Sequence, residues 1–352
     1  MGMTRRELAL FGGAGMVALA AQAVGASPPL PVGAAAFDPT PFVHPELRFL
    51  VPAFLKFKTG GTLSSETLGQ LRKMLGGGAP DPAARAVRVP GRSGAPDVLA
   101  YVLNGTASGA VRPAILYVHG GGFVAGNAAS KTGELQQLAR DLDCVIVAVD
   151  YRLAPETQFP GPLEDCYAAL TWLYRNAQSL GVDRRRIAVM GESAGGGLAA
   201  MLSIAARDRR EVPILFQSLI YPMLDDRTGS TRAVQPPLGS LTWDSAANRF
   251  GWTSFLGVAA GSAHVPPGSV PARVERLTGL PRTFIGVGSI DLFVSEDVEY
   301  AQRLISEAVP TELLVVPGAF HGFNGAAPNA GVSRQFNTAV KLALQNAFAS
   351  TW

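Results

Sequence analysis

Gly191-Glu192-Ser193-Ala194-Gly195 stands where an apolar strand pattern at 186–190 gives way to a helix pattern at 193–207 rich in Gly, Ala and Leu. A serine flanked by glycines at a strand-to-helix turn restricts the fold strongly. The turn is sharp enough to strain the backbone at the serine, and the glycines let neighbouring backbone approach closely. The hydroxyl then stands free at the carboxyl edge of a sheet. The helix N-terminus beneath it favours developing negative charge.

The surrounding pattern supplies such a sheet. Strands are expected at 87–89 and 98–103, separated by Pro90-Gly91-Arg92-Ser93-Gly94. Further strands are expected at 114–118, 144–149, 186–190, 214–220, 283–287 and 312–316. Helical spacing recurs at 131–142, 163–174, 193–207, about 295–308 and 330–348. Alternating units of this length predict an α/β fold with a mostly parallel sheet covered on both faces. Residues 222–265 break the alternation. They hold Trp243, Phe250, Trp252 and Phe255 among Gly, Ser and Pro, with helical spacing and no strand pattern. An insertion at the edge where such folds form their sites reads as a helical cap, and the segment 27–85 is expected to join it. The catalytic domain is placed at 86–350.

Composition excludes several classes. With 352 residues, 47% hydrophobic and 16% charged, the chain has material for one large core. The net charge of +3 is small and dispersed, with no basic run beyond Arg184-Arg185-Arg186, so no nucleic-acid partner is expected. No metal-ligand spacing occurs among the two cysteines and four histidines, so no metal site is expected. Cys144 falls in a strand pattern and Cys166 in a helix pattern. Both read as buried thiols, with a bridge left open.

A serine nucleophile needs a base and oxyanion donors. His119-Gly120-Gly121-Gly122-Phe123 follows a strand directly, and its glycines leave backbone N–H groups free to meet a carbonyl oxygen. His119 reads as structural. Of the remaining histidines, His44 and His264 lie in Pro-rich surroundings and read as surface residues. His321 follows both the serine and the last strand, as the order Ser, Asp, His requires. Asp291 lies between them, in the loop after the strand at 283–287, and can orient the imidazole. Glu296 and Asp297 read differently. Behind Ser295 as N-cap, they suit the first turn of a helix and its dipole.

These pieces together resemble the hormone-sensitive lipase family of esterases, over roughly residues 85–345. The matching segments include Asp150-Tyr151-Arg152-Leu153-Ala154-Pro155-Glu156, Gly191-Glu192-Ser193-Ala194-Gly195-Gly196 and Pro317-Gly318-Ala319-Phe320-His321-Gly322-Phe323. The resemblance implies an α/β-hydrolase fold and a Ser193–Asp291–His321 triad. It also implies an oxyanion hole from the N–H groups of Gly121, Gly122 and Ala194, no cofactor, and short to medium acyl esters as substrates. Glu192 departs from the commoner aspartate, and Leu292-Phe293-Val294 stands where a proline turn is usual. Arg152 is expected to tie loops together through a nearby carboxylate.

An amidase or acyltransferase would use the same nucleophile, because pocket and cap choose the leaving group. A ligand receptor on this fold would lack the histidine. Phe123, Trp243, Phe250 and Phe323 are the expected substrate-lining residues. At the N-terminus, Arg5-Arg6, a weakly apolar stretch and Val24-Gly25-Ala26 read as a twin-arginine signal peptide over 1–26. Export to the periplasm or medium is therefore expected, with no stable membrane insertion after cleavage. A homodimer is compatible with the sequence.

Overall fold

A computed structural model describes residues 37–58, 63–105 and 111–349. The leader read at 1–26 lies outside the described residues, as does the start of the segment 27–85.

Eight strands form one sheet in the order β1-β2-β4-β3-β5-β6-β7-β8. They are β1 (Arg85–Val89), β2 (Val98–Leu103), β3 (Arg112–Val118), β4 (Val145–Asp150), β5 (Val182–Glu192), β6 (Phe216–Ile220), β7 (Arg282–Gly288) and β8 (Thr311–Val316). β2 runs antiparallel to both its neighbours, β1 and β4, and β3 through β8 are mutually parallel. The helices are α1 (Val51–Lys58), α2 (Leu68–Leu75), α3 (Thr132–Asp141), α4 (Gly161–Arg175), α5 (Ala177–Leu180), α6 (Ala194–Arg209), α7 (Ser245–Leu256), α8 (Val294–Ser306), α9 (Phe323–Ala326) and α10 (Gly331–Ala349). The period-two alternation of the strands sorts the core into two layers. Ala114, Leu116 and Val118 face a cluster with α4, α6, α7 and α8, whereas Ile115 and Tyr117 face one with α3 and α10.

Strand order reverses between β3 and β5, which lie side by side while β4 sits beyond β3. The carboxyl ends at such a switch point are where ligands bind in open α/β sheets. The register places Val118 beside Gly191, so the glycine loop after β3 and the serine turn after β5 adjoin. Cys144 and Cys166 are free and lie in the clusters on opposite faces of the sheet, which closes the question of a bridge. Burial pushes the Cys144 thiol up to about 12 and that of Cys166 well above its ordinary value, so both stay protonated.

Two strands differ from their apolar patterns. β5 begins at Val182, because Asp183 pairs with Arg185 and Arg186 and lets a charged stretch extend along the sheet. β6 begins at Phe216 rather than at 214. In the N-terminal segment, α2 is tied to the catalytic domain through Arg72. Its guanidinium donates to the Val124 and Ala154 carbonyls at 2.8 and 3.0 Å and to both oxygens of Glu156 at 2.7 and 2.6 Å. Arg152 makes the expected clamp, a forked contact to Asp165 at 2.7 and 2.8 Å.

Candidate active site

Ser193 follows β5 and caps α6 at φ 55° and ψ −121°, a conformation that costs an ordinary residue on the order of 1–3 kcal/mol. Backbone bonds hold it there. Its N–H donates to Ile220 O at 2.9 Å, and its carbonyl accepts from Gly197 and Met223, both at 3.0 Å. Gly195 is required by the approach of β3: a Cβ there would lie 2.2 Å from Val118 O.

The serine hydroxyl lies 2.9 Å from His321 Nε2, and His321 Nδ1 lies 2.8 Å from Asp291 Oδ2. A carboxylate only accepts, so Nδ1 carries the proton and Nε2 receives the serine O–H. Asp291 is fully buried, and its other oxygen accepts the Phe293 N–H at 2.9 Å. The imidazole is wedged edge-on between Tyr221 and Phe293, with centroids at 4.8 and 5.1 Å. Thr242, in the insertion, donates its hydroxyl to the His321 carbonyl at 2.8 Å. Neither Tyr221 nor Thr242 was legible as a site residue. Their contacts cross 100 and 79 residues of chain, and no local pattern marks them.

The loop after β3 turns through positive φ at Gly121, Gly122 and Phe123. Val124 and Ala125 close it by donating to Gly121 O at 3.1 and 3.0 Å. Among the described residues, the N–H groups of Gly121, Gly122 and Ala194 donate to no protein acceptor. Ala194 opens α6, so its N–H also carries the positive end of that helix. His119 is structural. Its Nδ1 donates to Gly120 O at 2.8 Å, its ring stacks on Tyr151 at 4.2 Å, and burial lowers its basicity.

Lys131 links the turn to the start of α3, with Nζ 2.9 Å from Glu192 and 3.4 Å from Glu134. The Glu192 carboxylate holds the Lys131 ammonium well above its ordinary value, so the lysine is charged. The uncommon glutamate in the motif thus has a specific partner.

The expected substrate-lining residues divide. Phe123 and Phe323 are corrected: both are fully buried, Phe123 against Phe255 and Trp252, Phe323 against Phe336. Positive φ at Phe123 turns its ring into the core, and α9 carries Phe323 under α10. Trp243 and Phe250 are half-buried. The Trp243 ring lies over Gly122, where a Cβ would fall 2.3 Å from Cη2.

Glu296 and Asp297 lie in the helix first turn as expected, and the cap before them is corrected. Phe293, not Ser295, occupies the N-cap of α8, because its N–H already belongs to Asp291. The first turn therefore faces inward, and both acids are buried. Glu296 accepts from the Leu224 and Asp225 N–H groups at 2.7 and 3.1 Å. Asp297 is fully buried and neither oxygen has a hydrogen-bond partner among the described residues. Burial, then Glu296 and Asp291 nearby, push its carboxyl well above the ordinary 3.8. Burial thus favours its neutral form over the carboxylate.

This has a stability consequence. Above the unfolded value the native state retains a proton that the unfolded chain has released, so stability falls as pH rises. The slope reaches about 1.4 kcal/mol per pH unit until the folded value is passed. Asp297→Asn keeps the shape of the neutral acid and removes the titration. The variant is expected to match wild type near pH 4 and to be increasingly the more stable by pH 8. Thermal midpoints across that range check it, and a constant difference contradicts it.

Among the described residues, no group of three or more His, Cys, Asp or Glu is placed to hold a metal ion, and no helix is long and apolar enough to cross a membrane.

A family profile described as the alpha/beta hydrolase fold matches residues 115–325. Esterase LipI of Mycobacterium tuberculosis is 37% identical over 217 residues, 61% of this chain and 67% of that protein. Carboxylesterase NlhH of the same species is 34% identical over 219 residues, 60% of this chain and 66% of that protein. The chain thus matches about two thirds of the length of these relatives. The structure of a bacterial heroin esterase superposes with a TM-score of 0.76 at 35% identity, over 88% of this chain and 99% of that one. The profile spans the loop after β3, the serine turn, the acid and the histidine, and the chain belongs to the α/β-hydrolase fold family, on the side of the esterases that resemble hormone-sensitive lipase.

Proposed function

We propose that the chain is a serine carboxylic-ester hydrolase acting through an acyl-enzyme. The observation that carries this is the continuous relay Asp291–His321–Ser193, with contacts of 2.8 and 2.9 Å, beside three unpaired N–H groups. Ser193 Oγ attacks the ester carbonyl as His321 Nε2 takes its proton. The N–H groups of Gly121, Gly122 and Ala194 receive the oxyanion. Collapse expels the alcohol, which takes the proton back from Nε2. Water then gives a proton to Nε2 and attacks the acyl carbonyl, and the serine oxygen leaves as the hydroxyl. Asp291 stays ionised throughout and stabilises the imidazolium.

The insertion is a fixed cap rather than a swinging lid in this reading. Fully buried Asp226 receives Arg273 at 2.8 and 2.9 Å and the Gly261 N–H at 2.8 Å. Glu296 of α8 accepts the Leu224 and Asp225 N–H groups at 2.7 and 3.1 Å, and these ties between the insertion and the body oppose opening. Short to medium acyl groups are the proposed substrates, with no activation at a lipid interface. A panel of nitrophenyl esters of rising chain length beside matching anilides tests both points. Short esters are expected to turn over fastest and anilides far more slowly. Comparable anilide rates indicate an amidase, and rates climbing through long chains at the solubility limit indicate a lipase. For location we propose export, on the leader segment alone.

A further inference from the structure

The cap grips the loop after β3. Trp243 lies on one side of Gly122. From α7, Gly251 comes so close that a Cβ there would fall 2.7 Å from the Gly122 carbonyl oxygen. The contact continues at Phe123, whose ring stacks on Phe255 at 4.2 Å and 18° and leans on Trp252 at 4.9 Å. All three rings are fully buried. Phe123 sits at φ 66°, which a bulky residue avoids unless its surroundings impose it.

The gripping element is itself fixed. Asp244 caps α7 by accepting from Ala246 and Ala247 at 3.0 and 2.9 Å. Its other end is tied where Phe159 N–H donates to Phe255 O at 2.8 Å. Fully buried Asn248 accepts from Trp243 Nε1 at 3.2 Å and donates to Thr228 O at 2.8 Å.

We propose that α7 is a positioning element for the oxyanion donor at Gly122. Gly251, Trp252 and Phe255 hold the Gly122–Phe123 peptide, and so restrict the rotation about the Gly122 Cα that aims the N–H of the preceding Gly121–Gly122 peptide. The sheet supplies the nucleophile, and the cap completes the hole. This rests on the hydrolase reading above. A donor stabilises a transition state in proportion to its prior orientation, and a small displacement weakens it more there than in the ground state. The effect therefore falls on kcat, not KM.

Gly251→Ala sets one methyl against the Gly122 carbonyl, and Phe255→Leu removes the stack from Phe123. Neither residue touches the triad. Ser254→Ala, on the same helix and outside these contacts, is the control. In Gly251→Ala, kcat for a nitrophenyl ester is expected to fall about 10- to 100-fold, short of or equal to loss of one donor, with KM near wild type. The decisive readout is the rate ratio between that ester and its thiono analogue. Sulfur accepts hydrogen bonds poorly, so a well-formed hole favours the oxygen ester. The ratio is expected to narrow in Gly251→Ala and Phe255→Leu and to stay unchanged in Ser254→Ala. Loss of folded protein alone scales both rates equally. Wild-type kcat and ratio in both test variants overturn the proposal, and if Gly251→Ala fails to fold, Phe255→Leu decides by the same ratio. A wild type that shows no preference for the oxygen ester contradicts the oxyanion-hole reading itself, and the proposal falls with it.

Discussion

Ser193→Ala is expected to lower ester turnover by about 10⁶ while leaving the fold intact. Among the described residues the hydroxyl has one side-chain partner, His321 Nε2 at 2.9 Å. Nothing in the core depends on that bond. The imidazole keeps its bond to Asp291, its two flanking rings and the Thr242 anchor on its carbonyl. The backbone bonds of the turn to Ile220, Gly197 and Met223 involve no side chain and survive the change. Turnover and the thermal midpoint, measured together, separate chemistry from folding. Activity within about tenfold of wild type, far from the loss seen for such nucleophiles, rules Ser193 out.

The second large effect belongs to Asp291→Asn, expected to lower turnover by roughly 10⁴ by analogy with other triads. The geometry gives the reason. Asp291 Oδ1 accepts the Phe293 N–H, so the asparagine oxygen takes that place and its NH2 faces His321 Nδ1. The imidazole must then accept at Nδ1 and carry its proton on Nε2, pointing at Ser193. A base with its proton already in place cannot take one from the serine. Asp297→Asn, six residues further on, is expected to leave turnover near wild type, since a neutral acid and an amide present little difference in charge. If Asp297→Asn cripples the reaction while Asp291→Asn is mild, the assignment of the acid is wrong.

Local patterns made the chemistry of the site legible. Glycines around a serine between a strand and a helix, glycines closing another strand, and a histidine after the last strand are each short-range signals. The parallel sheet fixes where strand ends meet, so those signals converge at the point where strand order reverses. Side-chain direction was not legible in the same way. Phe123 looked like a pocket wall because it adjoins the glycines, yet its positive φ sends the ring into α7. Asp297 fits a helix first turn and its dipole, and it lies in that turn, but nothing local in the sequence marks that the turn is buried. The cap contacts were illegible for a further reason: Thr242 meets His321, and Gly251 meets Gly122, across long stretches of chain that carry no shared local pattern.

Mass spectrometry of the protein after reaction with a nitrophenyl phosphonate tests the central claim most directly. The account predicts one phosphonyl group per folded chain, located on the peptide that contains Ser193, and none on Ser193→Ala. A folded wild type that acquires no adduct, or that carries it on another residue while Ser193→Ala labels equally well, would contradict it.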